Sequence, residues 1–146
     1  MPTSVFSYRL AVAVVTVCVS HCAIAAPAAP LYGVFVYSNF CVSPQSGDMY
    51  GNRITLLRSP DGTMLLFEYT DGSAHGVVAT DLKLDTPHDT ISFAVQPDGA
   101  PASTVSGKFS PDAQSVTLRG IPFARPTPQT LPRITDFATP AKNCKK

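Results

Sequence analysis

The sequence predicts an all-β fold: a small antiparallel barrel or two-sheet sandwich of seven to eight short strands, placed after an N-terminal signal peptide. Three observations point there. Turn chemistry recurs at roughly 10–15-residue spacing through most of the 146-residue chain. Between the turns lie short runs rich in Val, Ile, Thr, Phe and Tyr, several with strict two-residue alternation. Beyond the leader, no ten-residue stretch combines helical apolar spacing with cap signals, and Pro122, Pro126, Pro128, Pro132 and Pro140 exclude a long helix in the last quarter.

The leader comes first. Residues 1–9 carry one basic side chain, Arg9; residues 10–19 are apolar apart from Thr16; and Ala23-Ile24-Ala25 places small residues where a signal peptidase needs them. The apolar run is shorter than the roughly 20 residues a spanning helix requires. The sequence therefore predicts a signal peptide over 1–25, a flexible leader over 26–30, and one β-domain over 31–146 with a Pro-rich C-terminal tail. The expected location is periplasmic or secreted, without a stable membrane anchor. Lipid attachment at Cys22 is disfavoured by His21, a bulky polar residue where a small one is needed.

Of the four cysteines, Cys18 and Cys22 belong to the leader, which leaves Cys41 and Cys144. In an oxidising compartment this pair is expected to form a disulfide that ties the tail to the first strand. Closing a loop of about 100 residues contributes roughly 4–5 kcal/mol in the chain-entropy model.

Turns are expected at Ser59-Pro60-Asp61-Gly62, Thr70-Asp71-Gly72-Ser73, Thr86-Pro87-His88-Asp89, Gln96-Pro97-Asp98-Gly99 and Ser110-Pro111-Asp112-Ala113. Pro presets φ, Asp bonds its own backbone and Gly accepts positive φ. Strands are expected at 32–42, 52–58, 63–70, 75–84, 90–96, 104–109, 115–123 and 131–137. The first is apolar on both faces, as a covered strand would be. In the second, Ile54 and Leu56 share one face while Arg53, Thr55 and Leu57 share the other. The hairpin through Pro60-Asp61 is the most securely defined. Ile91, Phe93 and Val95 alternate cleanly toward a core, and Gly76, Gly107 and Gly120 are candidate bends or bulges.

Charge excludes several function classes. Without residues 1–25, ten Lys plus Arg face ten Asp plus Glu, so there is no basic footprint for nucleic acid. His75 and His88, the two histidines outside the leader, stand on separate elements, and no metal site is expected. Ser73, His75 and Asp71 share one turn and cannot take relay geometry. Glu68, the sole glutamate, is expected to pair with Arg53 or Arg58. Phosphate loops, calcium loops and nucleophile elbows are absent, so neither catalytic residues nor cofactors are expected.

The function expected is that of an exported binding module acting by contact with another protein: an inhibitor, an immunity-type factor or a secreted accessory factor. Loops 42–51 and 124–132 would present the surface, with Tyr50, Arg125 and Arg133 as contact residues, since Tyr and Arg favour interface hot spots. The alternative is a carrier of a small apolar ligand inside a barrel, in the architectural manner of lipocalin-like folds. A hydrolase ranks third.

Overall fold

The computed structural model describes residues 32–70, 72–123, 126–135 and 142–144. The leader expected over 1–25, the segment 26–30 and Arg125 lie outside the described residues. Twelve strands are described: β1 (Gly33–Ser38), β2 (Cys41–Val42), β3 (Met49–Tyr50), β4 (Asn52–Ser59), β5 (Gly62–Thr70), β6 (Ala74–Val78), β7 (Thr80–Asp85), β8 (Thr90–Val95), β9 (Ser103–Phe109), β10 (Ser115–Arg119), β11 (Gln129–Ile134) and β12 (Lys142–Asn143). The helical content among the described residues is one 3₁₀ turn, Thr86–His88, which begins the β7–β8 connection. No described helix is long and apolar enough to cross a membrane.

Nine strands form one antiparallel sheet in the order β6-β5-β4-β1-β11-β10-β9-β8-β7, which curls into a nearly closed barrel. The curl follows from how its two edges are joined. β6 pairs with β5 and β7 pairs with β8, yet the two are separated only by Ala79, whose N–H donates to the Leu65 carbonyl at 2.9 Å. They are one run of chain that leaves one edge of the sheet and joins the other. At the corner Asp81 adopts φ 49° and the β7–β8 register shifts between Thr80 and Lys83. Such bulges bend a strand and raise its twist, which is what closure requires. On the other side β1 receives β11 through Val36↔Ile134 and Tyr37↔Arg133.

Alternation then sorts the side chains. Ile54, Leu56, Leu65, Phe67, Ile91, Phe93, Val95, Val105, Val116, Leu118 and Leu131 face inward and are at most 3% exposed. Fully burying each stabilises by about 1.5–3 kcal/mol relative to exposure. Phe67 and Phe93 meet across the middle with centroids 6.2 Å apart. An eight-stranded barrel is just wide enough for its own side chains, and here they occupy it. Gly107 faces inward where a Cβ would stand 2.5 Å from Leu118 Cδ2, so any larger residue requires Leu118 to shift.

The expected strands hold with four adjustments, and β3 and β12 are additional. The 131–137 run is β11, which starts earlier at Gln129 and ends at Ile134, with Thr135 already a bend. The 32–42 run divides into β1 and β2, and Val34 is 54% exposed although Val36 is buried, so the strand is covered over only part of its outer face. The 75–84 run divides at Ala79, and the 115–123 run ends at Arg119, because Gly120 turns the chain at φ 74°. Gly76 marks no irregularity; it pairs in register with Glu68.

A small sheet, β12-β2-β3, sits beside the barrel. β12 pairs in parallel with β2, and Cys41 and Cys144 are disulfide-bonded with Cα atoms 4.8 Å apart. The tail is thus pinned at the end of the first strand, as the cysteine arithmetic predicts. A disulfide is consistent with an oxidising, extracytoplasmic compartment.

Candidate functional site

The two ends of the barrel are built from the same strands and differ in chemistry. At the end beside the small sheet, Asn52 and Gln129 are inward-facing. Asn52 Nδ2 donates to Gln129 Oε1 at 2.8 Å, and Asn39 Oδ1 accepts the Asn52 backbone N–H at 2.7 Å. The Asn39 N–H returns to the Asn52 carbonyl at 3.1 Å. Gly51 allows this approach: at φ 114°, a Cβ there would meet the Asn39 carbonyl oxygen at 2.7 Å. A buried amide costs free energy unless it is bonded, and here the amides bond one another. This end is closed.

At the opposite end the barrel opens into a cup of about 160 Å³. Phe35, Leu56, Leu84 and Phe109 supply apolar walls, and Arg58, Asp85 and Asp89 bring charge to the same space. Tyr37 lies on this wall, its hydroxyl donating to the Ala113 carbonyl at 3.1 Å and its ring tilted against Phe109 at 5.5 Å. Burial raises the Tyr37 phenol above its ordinary range, against the opposing pull of the Arg133 and Arg58 charges. The Ser110–Ala113 turn that forms part of the rim holds Ala113 at φ 53°, with its N–H donating to Ser110 O at 2.8 Å.

The outer surface also divides in two. On β1, β4 and β5 the register sets Val34 opposite Leu57 and Leu57 opposite Met64. These three are 54%, 45% and 57% exposed. The next row continues through Leu66 to Val78, itself 59% exposed. Arg53 and Glu68 close this face toward the small sheet, with Arg53 Nε donating to Glu68 Oε2 at 2.6 Å and a second bond completing the fork. The Glu68 bond raises Arg53 further above its ordinary value, against the cost of burial. On the far side, β7 to β10 present a shallow depression of about 660 Å³ lined by Lys83, Ser92, Ser106, Lys108, Thr117 and Arg119. One outer face is apolar and the other is hydroxyl-bearing and cationic.

The expected site residues fall in different places. Tyr50 is 47% exposed on β3, paired with Cys41. Arg133 is half-buried on the inward face of β11, its guanidinium 5.1 Å from the centre of the Phe35 ring. Glu68 pairs with Arg53, one of the two arginines expected. His75 stacks on Tyr69 at 5.4 Å and its Nε2 lies 3.2 Å from Ser73 Oγ, while His88 meets Asp85 at 2.7 Å on the other side of the barrel. The described residues hold no cluster of His, Cys, Asp and Glu suited to a metal. Two features escaped the sequence: the apolar row and the cup. The first had a local signal, Leu57 and Met64 standing at outward positions of a clean alternation. The cup had none, because its wall is assembled from β1, β4, β7, β9 and two turns.

Comparison of the chain with protein-family models, with curated proteins and with solved structures finds no match to any of the three. The functional reading therefore stands on the residues themselves.

Proposed function

We propose that this protein is exported through its N-terminal signal peptide and acts as a binding module, by contact with another protein, in the role of an inhibitor, an immunity-type factor or a secreted accessory factor. One observation carries the reading: the outward row Val34, Leu57 and Met64, continued by Leu66 and Val78, gathers most of the exposed large aliphatic side chains of the described residues on one face. A contiguous exposed apolar patch with a polar rim is characteristic of a protein contact surface. The outward-facing charges of β4 and β5, Arg53 and Glu68, pair with each other. The complementary partner is thus a protein with an uncharged, apolar face of its own. β6 and β7, the two terminal strands of the sheet, are five and six residues long, and contact is placed on the side chains of the apolar row rather than on a strand edge. The mid-barrel, filled by buried side chains, supports contact over carriage of a ligand deep within the barrel.

The test is site-specific photo-crosslinking in the source cells, with a photoreactive residue at Leu57, at Met64 and, as a control on the cationic face, at Thr117. Discrete adducts with one other protein at 57 and 64, absent at 117, are expected. Adducts at neither apolar position, adducts equally strong at 117, or adducts only with a second copy of this chain would each overturn the reading.

A further inference from the structure

The cup at the open mouth stands apart from the apolar row, and it sets charged side chains beside apolar walls. We propose that it binds a free amino acid with an apolar side chain: the side chain enters the cup, the carboxylate meets Arg58 and the ammonium meets Asp89.

Size and lining set the first half. A space of about 160 Å³ is close to the roughly 150 Å³ cavity known to admit one benzene ring. Phe35, Leu56, Leu84 and Phe109 form its apolar wall. Deeper entry is blocked, since Ile54, Leu65, Phe93 and Val116 fill the barrel beyond it at no more than 1% exposure. A long acyl chain does not fit; one ring or one branched aliphatic group does.

Uncommitted charge sets the second half. Arg58 shares the inward face of β4 with Ile54 and Leu56, and its guanidinium makes no hydrogen bond or ion pair with a described residue. Arg133 lies over the Phe35 ring and is not among the residues lining the cup. Of the two acids, Asp85 is held by His88 Nδ1 at 2.7 Å. Asp89 is fixed through its backbone instead: its carbonyl accepts the Phe109 N–H at 2.8 Å and its N–H donates to Thr86 O at 3.3 Å, with φ at 56°. Its carboxylate makes no bond to a described residue. One guanidinium and one carboxylate are thus left open on a single apolar cup. A simple carboxylate would satisfy the first and face the second; a simple amine would do the reverse. An α-amino acid carries both charges one carbon apart from a side chain of the right volume.

The experiment is calorimetric titration of the full-length mature chain, with NMR shift mapping, using L-phenylalanine, hydrocinnamate (no ammonium), phenethylamine (no carboxylate) and glycine (no side chain). L-Phenylalanine is expected to move the amides of Asp89, Phe109 and Ala113 and to bind about tenfold more tightly than either single-charge analogue, the effect of one charged hydrogen-bond partner. Glycine is expected to leave those amides unmoved. Arg58→Gln is expected to erase the preference over phenethylamine. Asp89→Asn, which keeps the left-handed backbone that Asn tolerates, is expected to erase the preference over hydrocinnamate. Equal binding of all three aromatic probes, shifts confined to residues away from the cup, or no saturable binding by any of them would overturn the proposal. None of these outcomes bears on crosslinking at Leu57.

Discussion

The inward positions of β4 and β11 run from Asn52 and Gln129 at one end of the barrel to Arg58 and Arg133 at the other, and the two ends resolve the same physical problem differently. Polar groups at the end of a side-chain-filled barrel must find partners or reach water. Beside the small sheet, short amides find each other, the Cys41–Cys144 disulfide pins the tail close by, and Gly51 lets the backbone of residues 39 and 52 draw together. At the open mouth the corresponding positions carry long cations, Arg133 over the Phe35 ring and Arg58 on the wall of the cup. The closed end is organised for stability. The open end keeps chemical groups available.

The contrast can be tested by breaking each end in turn. The largest effect is expected from Cys41→Ala with Cys144→Ala. Releasing a link between residues 103 apart should lower the unfolding free energy by about 2–5 kcal/mol in denaturant titration. Next comes Asn52→Ala, which strips a partner from Gln129 and leaves a cavity. A loss of about 1–3 kcal/mol is expected, and a loss under half of that would mean the amide cluster is not what closes this end.

Changes at the mouth should be smaller. Tyr37→Phe removes one hydrogen bond to the Ala113 carbonyl and should cost about 0.5–1.5 kcal/mol. It also has a pH signature. The folded phenol ionises above its ordinary value of 10.0, so its contribution is fully present below pH 10 and is lost as pH rises through the higher folded value. Stability of the native chain should therefore fall on the alkaline side of pH 10, and part of that fall should vanish in the Phe variant. Smallest is Ala113→Gly, which relieves a non-glycine residue at φ 53° and should stabilise by about 0.5 kcal/mol. A destabilisation there would show that the Ala113 methyl matters more to the wall of the cup than its backbone strain.

Strands and turns were legible in the sequence because a two-residue period and Pro-Asp-Gly chemistry are local signals. Ile91, Phe93 and Val95 can be assigned to the core from their own alternation. What lay beyond reach depended on register between strands. Val34, Leu57 and Met64 are separate residues in the sequence and become one row only when β1, β4 and β5 are aligned. The corner at Ala79 is equally hidden, since residues 75–84 read as one uninterrupted strand and only the pairing of its halves with β5 and β8 distinguishes a barrel from a sandwich. Arg133 resembles a surface contact residue by type; its inward place follows from sharing a face with Leu131, which the surrounding prolines obscure. The Cys41–Cys144 link was readable from the cysteine count together with the oxidising compartment that the leader pattern leads one to expect.

Amide hydrogen exchange on the oxidised, disulfide-bonded chain tests the difference between the ends most directly. The amides of Asn39 and Asn52 should exchange as slowly as those of Ile54 and Phe67 at mid-barrel, while those of Asp89 and Ala113 at the mouth exchange much faster through local opening. Equal protection at both ends, or a closed end that opens before the mouth, would contradict the account.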